Sequence, residues 1–447
     1  MNTPTWLKLS LLEAIFLIAV LLGPAAAYSK LYLFHLVLLV LLAKSVPEVT
    51  LWRGKLPPRA LWWDNGFFLF FLAWYVLSIL WAEDRVYALQ YCTYVGLGVL
   101  TVYFTVKICR TSERLRGAIW VILGTVSIEI FLAILEGMKL IRLPFSPYSP
   151  YRWLFGRQPN SFDGLAQSQI NYLQGVPTGF AGNPNNLAAF LVLALPMFLF
   201  ARRWWVAVLG VAAIYFVIDL AGARAGAIAF WVVMAVGIAL FAAYRMRVGA
   251  IAILLAAAIF ASDMGGDSKL ADYSQAASRL GEGLLSGQAT DGDSVGIRTQ
   301  LILNGLSALR ETFGLGVGAG GSLSVQIQAG DDRIGGIVSM HNFWVELLVD
   351  GGVLFAVLFF SWAGWLMWRL WQIGRWSSQV TLRYLGQALS LGFVGFFFSA
   401  MGPSSVIYLL PMWMFIGLSL AVIKLNAKEH SLHASHEPLA TMEKTAS

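Results

Sequence analysis

Apolar runs of membrane-spanning length alternate along this chain with short segments carrying lysine and arginine, and two longer stretches interrupt the alternation. A bilayer core about 30 Å thick needs about 20 apolar residues per helix. Twelve runs fit that pattern, near residues 9–27, 30–44, 66–82, 87–108, 117–138, 185–201, 204–221, 225–243, 248–262, 342–368, 384–400 and 405–423, the second and ninth being short. They predict an all-α polytopic membrane protein with about twelve transmembrane helices, one integral membrane domain over 1–447. The first run follows Lys8 and ends in Ala25-Ala26-Ala27, the layout of a secretory signal. With eleven further runs behind it, the expectation is an uncleaved first helix.

The two long stretches differ in character. Residues 139–184 carry proline, serine, tyrosine and tryptophan, which suit a connector at the membrane interface, and Asn183-Pro184 reads as the N-cap and first turn of the next helix. Residues 263–340 are the most polar part of the chain, with nine Asp or Glu. Inside them Ile297, Leu301, Leu303, Leu306, Leu309 and Phe313 recur at helical spacing, predicting a partly helical loop whose amphipathic helix starts beside Arg298, lies against the membrane face and stops at Gly314. Gly314-Leu-Gly-Val-Gly-Ala-Gly-Gly321 follows, with no preceding strand, so it is no dinucleotide fingerprint. Its glycines, Gly316 and Gly318 among them, allow a sharp turn with N–H groups free to hold an anion. Residues 424–447 read as a solvated, disordered tail, with His430, His433 and His436 lacking the cysteines or carboxylates that would complete a metal site.

Composition excludes a soluble domain: 58% of the residues are hydrophobic and 12% charged, against about 25% charged in soluble proteins. The net charge of +7 sits in short loops between runs, so membrane lipid and not nucleic acid is the expected contact. Placing both termini in the cytoplasm puts most of the 31 basic residues inside and the loops 139–184 and 263–340 outside. Cys92 and Cys109 lie in or at the end of an apolar run and imply no disulfide framework.

Ionisable groups at the mouth of a spanning helix mark a functional site by default. His341 stands there, followed by Asn342 and Glu346 as an i,i+4 pair, and a neutral histidine suits proton abstraction from a hydroxyl. A bland reading makes it an interfacial cap. Arg224 opens a run between alanines and glycines, a guanidinium fork exposed for bidentate phosphate binding or for snorkelling to headgroups. Arg298 heads the loop helix, where an anion would meet the dipole's positive end, unless it pairs with Asp291 or Asp293. Asp291-Gly-Asp293 and Asp331-Asp332 are oxygen-rich, but an acidic glycine-rich loop produces such pairs by chance, and neither a metal nor another cofactor is expected.

On Ala223-Arg224-Ala225, Arg298 ahead of Gly314-Leu-Gly-Val-Gly, and His341-Asn342 with Glu346 and Gly351-Gly352, over roughly residues 180–400, the chain resembles the O-antigen ligase and O-antigen polymerase superfamily of bacterial envelope enzymes. The resemblance implies a GT-C-like fold and a periplasmic active site in the inner membrane. It further implies a polyprenyl (undecaprenyl) diphosphate-linked glycan as donor, and no metal or nucleotide sugar. Within that superfamily the length and run count look most like the ligases of lipopolysaccharide biosynthesis, whose acceptor is the lipid A core. The polymerases and the protein O-oligosaccharyltransferases are the alternatives. His341 would be the base, Arg224 and Arg298 would hold the diphosphate, and Asn342, Glu346, Gly316 and Gly318 would support them. A transporter or lipid flippase is the rival from another class; it would show internal repeats and interrupted helices at mid-membrane, and no repeat between the halves is visible.

Overall fold

The computed structural model describes residues 8–50, 60–163, 166–263, 275, 278–279, 281–283, 285–286, 294–330, 334 and 336–443. Fifteen helices are used below: α1 (Leu11–Leu22), α2 (Leu33–Thr50), α3 (Ala60–Ser78), α4 (Arg85–Ile108), α5 (Ser112–Gly137), α6 (Gln167–Gly175), α7 (Pro184–Leu199), α8 (Trp204–Leu220), α9 (Arg224–Leu240), α10 (Arg245–Asp263), α11 (Ser294–Glu311), α12 (Gly321–Ala329), α13 (Phe343–Trp376), α14 (Val380–Ser399) and α15 (Leu410–Glu443). The two strands among the described residues, Ala27–Tyr28 and Leu31–Tyr32, form a small antiparallel hairpin after α1.

Every one of the twelve apolar runs falls on a helix, and the chain is an all-helical, multi-pass membrane protein. By length and composition, five of the described helices (α4, α5, α13, α14 and α15 to Glu429) suffice to cross a bilayer, and α9 with α10 makes a sixth if counted as one broken span. Among the described residues the other runs form shorter apolar helices. The runs 225–243 and 248–262, expected as two separate spans, bend by 109° at Phe241, and Arg245 turns back to bond the Ile238 carbonyl.

α7 is apolar all round, as a helix surrounded by others must be. From Asn186 to Leu199 every residue is buried, with α8, α9 and α14 packed about it. Its start is the one expected: Asn183 accepts the N–H groups of Asn185 and Asn186, with Pro184 in the first turn. Elsewhere aromatic side chains of α3 and α13 interlock, Phe67 stacking on Trp362 at 4.6 Å.

The polar loops also depart from expectation. The 139–184 connector contains α6 and a 3-10 turn at Pro150–Phe155. The loop helix α11 begins at Ser294, a turn before the expected start, and packs on α12 and α13, with Leu301, Ile302, Gly305 and Leu309 among its buried residues. The backbone of α15 stays helical to Glu443, so His430, His433 and His436 lie on a helix and not in an irregular tail. Asp291, Asp293, Asp331 and Asp332 lie outside the described residues.

Candidate functional site

The glycine-rich turn after α11 is a clamp on a broken helix. α13 is helical through Gly351, but Gly352 has φ 83° and ψ 172°, a conformation open to glycine alone. The break frees backbone groups that need partners inside an apolar bundle. The turn supplies them: Val317 and Gly318 donate to the Val349 and Asp350 carbonyls at 2.9 and 3.1 Å, and Val353 donates to the Gly314 carbonyl at 2.9 Å. The approach is close enough that a Cβ on Gly352 would lie 2.1 Å from the Leu315 oxygen, and one on Gly316 2.5 Å from the Gly352 nitrogen. Trp74 donates to the Gly351 carbonyl at 2.9 Å.

Asp350 completes the clamp, accepting the N–H groups of Gly320 (3.0 Å) and Ser322 (2.8 Å) at the start of α12, where a carboxylate complements the helix dipole. This corrects the expectation for the glycines. The Gly316 N–H goes to Thr312 Oγ1 at 3.3 Å and that of Gly318 to Asp350, so neither is free to hold an anion. The expected Asn342–Glu346 side-chain pair does not form either. Asn342 caps α13, accepting from Trp344 (3.2 Å) and Val345 (3.4 Å), while buried Glu346 points the other way and accepts the Tyr91 hydroxyl at 2.9 Å. Two acids four residues apart in an apolar helix were a visible signal, yet only Glu346 was singled out by the sequence; Asp350 carries the larger structural duty.

One turn before Glu346 the polar groups are left open. His341 precedes the cap with φ 47°, an uncommon backbone for a side chain of its size, and its Nδ1 lies 3.4 Å from the Gly402 carbonyl in the loop between α14 and α15. The Phe343 N–H donates to the Ala400 carbonyl at 3.2 Å, fixing the helix start to the same loop. A Cβ on Gly402 would lie 3.4 Å from Ala225 and 3.5 Å from Asn185 Oδ1. The beginnings of α7, α9 and α13 therefore converge on Gly402, and each brings the positive end of a helix dipole.

The arginines join this end. Arg224 is the first residue of α9 and is exposed. Arg298, on the second turn of α11 and not at its head, is half-buried, and burial together with the Arg224 guanidinium depresses its proton affinity. His341 in turn is held below the usual histidine value, first by burial and then by Arg298. Arg298 thus lies in the field of Arg224 and His341 in that of Arg298, and neither arginine has an ion-pair or hydrogen-bond partner among the described residues. A positive field without a counter-charge is suited to a polyanion. With Nδ1–H directed at Gly402, Nε2 keeps its lone pair, and the lowered pKa keeps the ring neutral at pH 7.

Behind Phe343 an apolar cavity of about 230 Å³ runs between α13 and α14, lined by Trp344, Phe360, Phe397 and Met412 among others. The sequence did not foretell Gly402, Asn185 or this cavity, because each depends on contacts between distant segments.

No family model matches the chain. It is similar to the teichuronic acid biosynthesis protein TuaE of Bacillus subtilis, 24% identical over an alignment of 396 residues, with 82% of this chain and 73% of that protein covered.

Proposed function

We propose that this protein is a glycosyltransferase of envelope polysaccharide assembly, moving a glycan from a polyprenyl diphosphate carrier to an acceptor hydroxyl on the periplasmic side of the bacterial inner membrane, with both termini in the cytoplasm. The observation that carries this reading is the cluster of Arg224, Arg298 and His341, without a counter-charge among the described residues, near the helix starts at Gly402. A diphosphate is already a competent leaving group. Transfer requires that the acceptor oxygen lose its proton as it bonds to the anomeric carbon, while the carbon–oxygen bond to the diphosphate breaks. His341 Nε2 takes the proton, and the arginines stabilise the charge that collects on the diphosphate, in the place a metal ion holds in other transferases. The apolar cavity behind Phe343 is offered to the isoprenoid chain.

The acceptor we propose is the lipid A core, as in an O-antigen ligase. A second reading has a specific support: the relative is named for teichuronic acid, a different polymer, which favours a polymerase whose acceptor is another lipid-linked glycan. Purified protein given an undecaprenyl diphosphate glycan should glycosylate lipid A core in the presence of EDTA. Chain lengthening of the donor without lipid A core would select the polymerase. No consumption of the donor under either condition, with folded protein, would overturn the transferase reading in favour of a carrier.

A further inference from the structure

α5 carries two buried glutamates two turns apart, and they are partnered in opposite ways. Glu136 accepts Arg142 Nη1 at 2.9 Å and the N–H groups of Thr178 and Gly179 at 2.6 and 3.2 Å. Glu129, 1% exposed, accepts the Phe180 N–H at 3.1 Å through Oε1, and its Oε2 has no partner among the described residues. Where Glu136 meets a guanidinium, Glu129 lines a cavity of about 70 Å³ bounded by Pro24, Ala181, Phe190 and Pro411. Asn186, 5% exposed, lines the same cavity; its side chain bonds the Tyr408 hydroxyl, and its Oδ1 is also without a partner among the described residues.

Both open atoms are acceptors, and a carboxylate removed from water needs an opposite charge or a proton. One water takes about 10–15 Å³ of such a cavity, so an ion with a water or two fits. A single carboxylate among neutral oxygens balances one positive charge and presents hard ligands, unlike the nitrogen and sulfur sets of transition metals. We propose that this cavity is a binding site for an alkali-metal cation, with Glu129 Oε2 and Asn186 Oδ1 as ligands and Tyr408 orienting the amide. The ion ties α5 and α7 to the loop between α14 and α15. Asn185, the neighbour of Asn186, faces Gly402 in that loop, so the ion braces the back wall of the His341 site. The proposal rests on the cavity and not on the transfer chemistry.

Thermal unfolding of the purified full-length chain in detergent tests it, at one ionic strength, in sodium, potassium and choline chloride. We expect a saturable rise of a few degrees in sodium or potassium over choline. Glu129→Gln should abolish that rise, and Asn186→Asp, which adds a second carboxylate, should bring half-saturation to lower concentration. Equal melting in all three salts overturns the proposal, as does an undiminished rise in Glu129→Gln. If Glu129→Gln does not fold, Asn186→Ala decides: half-saturation raised about tenfold or more supports the site, and an unchanged value overturns it.

Discussion

The mouth of α13, at His341, and its first three turns both carry polar side chains, and they dispose of them differently. In those turns, Glu346 and Asp350 are buried and engaged by Tyr91 and by the N–H groups of Gly320 and Ser322, all supplied by the protein. At the start, His341 is half-buried, and it faces Arg298 and, through it, Arg224, with like charges repelling and no acid among the described residues to offset them. Asp350, with both carboxylate oxygens engaged, is scaffold, since a buried polar group is tolerated when its bonds are made; Glu346 is held by Tyr91 on one oxygen, and its Oε2 has no partner among the described residues. Unfilled capacity in the second set is what supports the proposal that a ligand binds there. The two sets should therefore separate cleanly under mutation, one acting on rate and the other on stability.

The largest effect is expected at His341. General base catalysis contributes typically about 10²- to 10⁴-fold, so His341→Ala should lose that factor in glycan transfer with an unchanged melting temperature. The side chain makes one long hydrogen bond, to the Gly402 carbonyl, so little polar bonding is lost with it. Transfer rates for His341→Ala and His341→Gln measure this. A glutamine variant with wild-type turnover would reduce His341 to a hydrogen-bonding cap.

The clamp should respond in the opposite sense. Asp350→Leu leaves the Gly320 and Ser322 N–H groups without acceptors, a loss of about 1–3 kcal/mol for each buried group. Gly352→Ala adds a Cβ 2.1 Å from the Leu315 oxygen, on a backbone whose left-handed strain alone costs about 1–3 kcal/mol. Both should lower the melting temperature and the yield of folded protein, while the molecules that do fold retain turnover within a few-fold. Normal stability with abolished turnover in Asp350→Leu would erase the distinction and move Asp350 into the chemistry.

What the sequence revealed of this arrangement follows the range of the physics involved. Local rules reached far: Asn183-Pro184 starts α7, α11 ends at Glu311, within a turn of Gly314, and the apolar period brings α13 to begin at Phe343, with His341 at its mouth. Signals that depend on a distant partner did not carry. The glycines at 316 and 318 looked like an open anion cradle because the groups that occupy their N–H donors, Thr312 aside, come from more than thirty residues downstream. Nor does anything at Phe241 announce a 109° bend, for no proline or glycine stands there and the run simply gives way to Arg245 and Arg247. Glu129 and Asn186 sit in separate apolar helices, and only packing makes them walls of one cavity.

The smallest expected effect sharpens the comparison most, because it tests whether the open groups act as one unit. Arg298→Ala should reduce turnover about tenfold or more, the worth of one charge-assisted bidentate contact at about 1.5–3 kcal/mol. It should also change the pH profile. Burial and the Arg298 charge both hold His341 below its ordinary value of about 6.5, so in the wild type the base is protonated, and the rate falls, only at a pH below that. Removing Arg298 removes the repulsion while leaving most of the burial, so the His341 pKa rises and the acidic limb moves toward higher pH. Arg298→Lys keeps the charge and loses the fork; its limb should stay near the wild-type position although its turnover drops. Raising salt screens an exposed charge more than a half-buried one, so the wild-type limb should move little between low and moderate ionic strength. The measurement is kcat/KM against pH for wild type, Arg298→Ala and Arg298→Lys. An acidic limb at the same pH in all three would mean that His341 does not titrate in the field of Arg298, and that the two residues do not belong to one site.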